Sequence, residues 1–115
     1  MAIQKFEDIV AWQKSQDIAV DIYKCFQNNK DFGFRDQLFR ASVSISNNIA
    51  EGSGSYSKKD FKQFLNMARR STFENANILI LLKRRSLITE GELEKLLDKL
   101  DHLCRQITNF QSTLI

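Results

Sequence analysis

Between Lys58 and Arg85 stand eight lysines and arginines against two acids, Asp60 and Glu74, a local balance of +6. The residues before this stretch sum to −1 and those after it to −2, so one segment holds the basic excess of a chain with net charge +3. At about 100° of rotation per helical residue, Lys58, Lys62 and Arg69 share one outer face, with Lys59, Arg70 and Arg84 beside it. Ammonium and guanidinium groups neutralise phosphates, and polar or aromatic neighbours meet sugars and bases. Asn66, Phe73, Asn77 and Ile80 supply such neighbours on this surface. The six cations are therefore candidate nucleic-acid-binding residues, reading charge and shape more than sequence. The plainer alternative is a solvated face. Lys83, Arg84 and Arg85 lie where a helix C-terminus favours cations anyway, and Phe73 and Ile80 would serve equally in a protein interface.

A second group of residues is structural in character. The stretch SVSISNNIAEGSGSY, residues 42–56, crowds Ser and Asn around Ile45 and Ile49. Ser42 projects within the apolar stripe and Asn48 at its edge, while Ser44, Asn47 and Glu51 turn away. The following segment carries Ser71, Thr72, Glu74 and Asn75 in mid-seam. A buried unpaired polar group costs about 1–3 kcal/mol, so these residues predict a polar layer of Asn48, Ser71, Glu74 and Asn75. Asn48 facing Ser71 or Asn75 would pair them and fix helix register. The alternative is small residues at close helix contacts.

No catalytic constellation emerges. His102 falls opposite the leucines of its segment, one turn after Asp98, and reads as half of a surface pair. H-E-x-x-H, C-x-x-C and P-loop patterns do not occur. Glu51 and Glu74 without a histidine or metal motif are weak grounds for hydrolysis. GSGS precedes a helix start whose free N–H groups could take an anion, but it reads first as an interhelix loop. The expectation is a protein without catalytic residues, metal, cofactor or small-molecule substrate. Cys25 and Cys104 lack metal spacing and read as reduced, half-buried thiols.

Four helical segments must carry these residues. The first runs from about Glu7 to Asn28, with Ala11, Ser15, Ile18, Ala19, Ile22 and Phe26 on one stripe, Trp12 and Tyr23 on its shoulder, and Phe6 stapled onto Val10 or Ala11. The second runs from Phe32 or Phe34 to Glu51, capped by Asp31, with Phe34, Leu38, Ala41, Ile45 and Ile49 inward. Its flank of Phe39, Val43, Ser46 and Ala50 implies a further neighbour, within the bundle or outside it. Gly52 or Gly54 would end it in the left-handed conformation. The third spans Ser57 to about Arg85 along Phe61, Leu65, Ala68, Thr72, Asn75, Leu79 and Leu82. The fourth starts at Thr89 with a Thr-x-x-Glu capping box to Glu92 and continues through Leu93, Leu96, Leu97, Leu100, Leu103, Cys104, Ile107 and Phe110. Proline is absent from all 115 residues. The pattern predicts one all-α domain over residues 1–115, an antiparallel up-down-up-down four-helix bundle. No apolar run is long enough to span a membrane, and the N-terminus lacks a basic-then-apolar leader, which predicts a cytoplasmic protein.

These residues resemble the four-helix-bundle proteins encoded within intervening sequences of bacterial 23S ribosomal RNA genes, relatives of the accessory proteins of diversity-generating retroelements. The resemblance rests on Phe6 and Trp12 in KFEDIVAWQKS, Gln37 and Arg40 in DQLFRAS, Ser44-Ile45, Asn48-Ile49-Ala50-Glu51-Gly52, and Phe61, Phe64 and Leu65. Ala68, Arg69, Ser71 and Glu74 in ARRSTFE continue it. Asn75 stands where the family usually has leucine, and the proline often seen before the second helix is missing. The resemblance implies a left-handed bundle, assembly as a ring-like homopentamer, and an association with RNA or DNA. Two functions follow as expectations: a non-enzymatic oligomer that binds nucleic-acid backbone, or an adaptor that docks a protein such as a reverse transcriptase.

Overall fold

A computed structural model describes residues 2–114. Its elements are a 3-10 segment (Ala2–Asp8) and four α-helices: α1 (Val10–Phe26), α2 (Phe32–Ser53), α3 (Lys58–Arg84) and α4 (Glu90–Ser112). The described residues contain no strand. The body measures 44 × 23 × 19 Å, and α3, at 27 residues, runs most of its length, about 40 Å at the helical rise.

Local chemistry sets the boundaries. Ile9 is extended (φ −75°, ψ 117°), so α1 begins at Val10, later than its periodicity predicts. Phe6 meets Trp12 edge to face, with ring centroids 5.2 Å apart. The Asp31 carboxylate caps α2 by accepting from the Phe34 amide at 3.3 Å and also accepts from Arg85 Nη1 at 3.1 Å. The Phe34 amide and then the Arg85 guanidinium hold its pKa below the ordinary aspartate value. Its stabilisation is therefore present above the ordinary aspartate range and is lost as pH falls through the lowered pKa. Ser57 accepts from the Asp60 amide at 3.1 Å. Thr89 and Glu92 exchange both bonds of a capping box, each at 3.1 Å. Thr89→Ala removes the acceptor for one of these amides and should cost about 1 kcal/mol, read as a lower midpoint in urea with an unchanged slope.

The left-handed turn expected at Gly52 or Gly54 falls elsewhere. No described glycine has positive φ, and Gly54 sits at φ −89°. The left-handed residue is Ser86, φ 59°, just beyond α3. There Ser86 N–H donates to the Lys83 carbonyl at 2.9 Å and Leu87 N–H to the Leu82 carbonyl at 3.0 Å, closing the helix in a Schellman pattern.

All four helices contribute to one core cluster. Ile22, Leu38, Ile45, Ile49, Leu65, Leu79, Leu82, Leu103 and Ile107 are fully buried there, the main driving term for folding. Each helix packs on two others: α1 and α3 both lie against α2 and α4. The predicted stripes are the buried ones, with Phe34, Phe61, Leu97 and Phe110 half-buried at the margin. On the α2 flank of Phe39, Val43, Ser46 and Ala50, two residues meet α1 in the same chain. Phe39 meets Tyr23 at 5.5 Å between ring centroids, and Gln16 donates to the Ser46 hydroxyl at 3.3 Å. Both cysteines are free thiols; Cys104 is half-buried, but Cys25 is exposed, against expectation. No helix among the described residues is long and apolar enough to cross a membrane.

Candidate nucleic-acid interface

The outer face of α3 carries the predicted cations. Lys58, Lys59, Arg70 and Arg84 are exposed, while Lys62 and Arg69 are half-buried. No carboxylate among the described residues lies within ion-pair distance of any of the six. The remaining cations of the stretch behave differently. Lys83 pairs with Glu90 at 3.1 Å and Arg85 with Asp31 at 3.1 Å. The two cations neutralised inside the chain thus sit at the far end of α3, on either side of the unpaired Arg84, and the other five unpaired cations lie between Lys58 and Arg70. A cation row without internal ion pairs attracts an incoming polyanion, the more strongly the lower the salt.

Two contacts organise the row. The Lys62 carbonyl accepts from Gln111 Nε2 at 2.8 Å, which ties this edge of α3 to α4. The Arg69 guanidinium lies over the Phe73 ring, 5.5 Å from its centroid, a cation–π approach. Phe73 remains 60% exposed. On the opposite edge, Arg70 borders an open groove between α2 and α3 with Ser44, Asn48, Met67, Ser71 and Glu74. The groove continues as a cavity of about 560 Å³ lined by Gly33, Asp36, Gln37, Arg40, Ala41, Ser44 and Glu74. The strip is therefore not uniform: Lys62 adjoins α4, and Arg70 adjoins the α2–α3 groove.

The polar residues between α2 and α3 pair otherwise than projected. Ser44, assigned outward, is half-buried, and its hydroxyl donates to Ser71 Oγ at 2.8 Å, which in turn donates to the Met67 carbonyl at 3.1 Å. Asn75 is fully buried. Its amide donates to the Ala41 carbonyl at 2.9 Å and the Ser71 carbonyl at 2.7 Å. Asn48 makes no bond to Ser71 or Asn75 and donates to the Ser44 carbonyl at 2.8 Å. Glu74 is exposed and lines the groove. Ser44 thus takes the bridging place predicted for Asn48, because the α2–α3 contact lies one helical flank away from the apolar stripe. Ser15, Ser42 and Ser46 donate back to carbonyls three residues earlier, at 2.7, 2.7 and 3.1 Å, and of the three Ser46 also accepts from Gln16 on α1. They are small residues at close helix contacts, as the alternative reading holds.

Gln37 and Arg40, which carry only family resemblance in the sequence, both line the groove. Their signal was position: with Ser44 and Asn48 they repeat at spacings of three and four along α2. His102 Nε2 stands 3.8 Å from Asp98 Oδ2 on an exposed face. Among the described residues no three or more His, Cys, Asp or Glu are grouped as metal ligands would be.

Four helices around one core, a tight polar contact between α2 and α3 and a basic outer α3 define an all-α protein of a recognisable class. The chain belongs to the 23S rRNA-intervening sequence protein family, which it matches over residues 7–109. Among solved structures it is similar to a protein of unknown function from the S23 ribosomal protein family of Bacteroides thetaiotaomicron VPI-5482. The two are 29% identical, with 89% of this chain and 98% of that one covered and a TM-score of 0.81. No curated protein matches it significantly.

Proposed function

We propose that this protein is a non-enzymatic, cytoplasmic, oligomeric helical module that binds the backbone of RNA or DNA through α3. The observation that carries this reading is the row Lys58, Lys59, Lys62, Arg69, Arg70 and Arg84, whose charges have no acidic partner within the described residues. The family's association with intervening sequences of 23S rRNA agrees with it. The unit is a single domain, a left-handed antiparallel up-down-up-down bundle. Support for the antiparallel course comes from pairs whose numbers rise on one helix as they fall on the next. Ala41 meets Asn75 and Ser44 meets Ser71, and on the other side Lys62 meets Gln111 while Lys83 meets Glu90. Assembly as a homopentamer, which the family resemblance implies, repeats the row in every copy and multiplies its field.

A second reading, an adaptor for a protein such as a reverse transcriptase, is favoured by apolar side chains left in solvent: Phe32, Phe39, Ile80 and Leu81 are 58%, 43%, 45% and 44% exposed. Fluorescence anisotropy with labelled RNA and DNA at low salt separates the two. The nucleic-acid reading expects binding that Lys62→Glu with Arg69→Glu abolishes, at unchanged helicity and unchanged mass in solution. Absence of binding at low salt leaves the adaptor. A strictly monomeric mass for the wild-type protein contradicts the oligomer.

A further inference from the structure

We infer that the strand taken by α3 is single, with a base stacked on Phe73; this deepens the nucleic-acid reading and rests on it. Phe73 is the most exposed apolar side chain on α3, at 60%. It is not a member of the core cluster. Arg69 lies over the ring at 5.5 Å, which leaves the rest of the aromatic surface in water. One turn beyond Phe73 stands Asn77, and two turns to either side stand Asn66 and Ile80, all exposed. An aromatic ring set among unpaired cations and carboxamides matches the composition of a single-strand platform, in which cations follow the phosphates and a ring takes a base face.

Duplexes fit this surface less well. Their bases are stacked on one another and offer only edges within grooves, so a ring on the outside of a straight helix finds no base face. The row itself would still attract duplex phosphates, but Phe73 would contribute nothing there. A second ring strengthens the assignment. Tyr56, fully exposed, stands in the turn just before Lys58 and Lys59. The distance along α3 from Lys58 to Phe73 is about 22 Å at the helical rise. A flexible strand of several nucleotides can span that interval.

The test uses labelled oligouridine, oligoadenosine and a perfectly paired RNA duplex of equal length, at one low salt concentration, with the full chain. Wild-type protein should bind the single strands about ten-fold more tightly than the duplex. Phe73→Leu keeps the apolar bulk and removes the π face. It should weaken single-strand binding about ten-fold and leave duplex binding unchanged. Phe73→Trp should restore the wild-type affinity or exceed it. Salt-sensitive binding in which Phe73→Leu has no effect, or in which the duplex binds as tightly, overturns the single-strand assignment while the basic row stands. Absence of binding to every probe overturns both. A Phe73→Leu loss accompanied by a lower mass in solution also overturns the assignment, since it moves the ring into a contact between copies of the chain.

Discussion

Asn75→Asp is expected to destabilise the protein by about 3–5 kcal/mol at neutral pH, the scale of an uncompensated buried charge. Asn75 is fully buried, and its amide faces two carbonyl oxygens, those of Ala41 and Ser71, at 2.9 and 2.7 Å. A carboxylate there replaces the two N–H donors with an acceptor oxygen and aims negative charge at both carbonyls. Burial and these dipoles raise the aspartate pKa in the folded protein above its unfolded value. The damage is accordingly small in acid and grows as pH rises from the unfolded value to the raised folded one. Urea unfolding at two pH values, one near the unfolded aspartate pKa and one neutral, should show the gap widening with pH. Asn75→Leu is the companion. Both carbonyls lie inside helices, where each also accepts its own amide four residues on. Leucine therefore leaves no carbonyl without a donor, and it removes the Asn75 Oδ1 that has no partner. Its stability should lie within about 1 kcal/mol of wild type. A leucine variant as damaged as the aspartate one would contradict this account of the contact.

Gly52→Ala is expected to cost about 2 kcal/mol, within the range for forcing atoms into a packed contact. A Cβ on Gly52 would lie 2.7 Å from Phe64 Cβ and 2.8 Å from Phe61 Cδ1. A ring can swing aside, but a Cβ moves only with its backbone, so α2 and α3 would have to part. Phe61 is itself held edge to face against Phe110, 5.5 Å between centroids, which limits its retreat. Alanine's better helix propensity offsets only part of this. Gly91→Ala is the control. Its nearest neighbour would be Thr89 Oγ1 at 3.9 Å, and the change should be neutral or stabilising by up to about 1 kcal/mol. Thermal melts should place Gly52→Ala below wild type and Gly91→Ala at or above it. Equal melting would remove the claim that close approach, not turn conformation, is the reason for glycine at position 52.

These two residues mark the limit of what periodicity can reveal. The stripes of α1 and α4 were legible because Ile18, Ile22, Leu96 and Leu103 face one core at an undisturbed helical period. The Thr89–Glu92 box was legible because capping is local. Gly52 was misjudged because its constraint comes from Phe61 and Phe64 on another helix. Ser44 was misjudged because a wheel centred on the apolar stripe does not know where α3 crosses α2. Ser86 escaped because serine in the left-handed region carries no sequence signal. Ile78 and Ile88, both buried, fell outside the idealised seam, one on the α2 side of α3 and one in the connection to α4. At the candidate site, the charge concentration on α3 was fully legible. Which of its cations pair internally was not, because Asp31 and Glu90 reach Arg85 and Lys83 only through the fold.

The claim that α3 presents an unneutralised basic row to a polyanion is tested most directly by the salt dependence of RNA binding. The logarithm of the association constant should fall linearly with the logarithm of salt concentration. For a single strand each phosphate contact contributes about −0.7 to the slope, so Lys62→Ala with Arg69→Ala should flatten it by about 1.4 per strand-contacting chain. A slope near zero for the wild-type protein, or one that these two substitutions leave unchanged, would contradict the account.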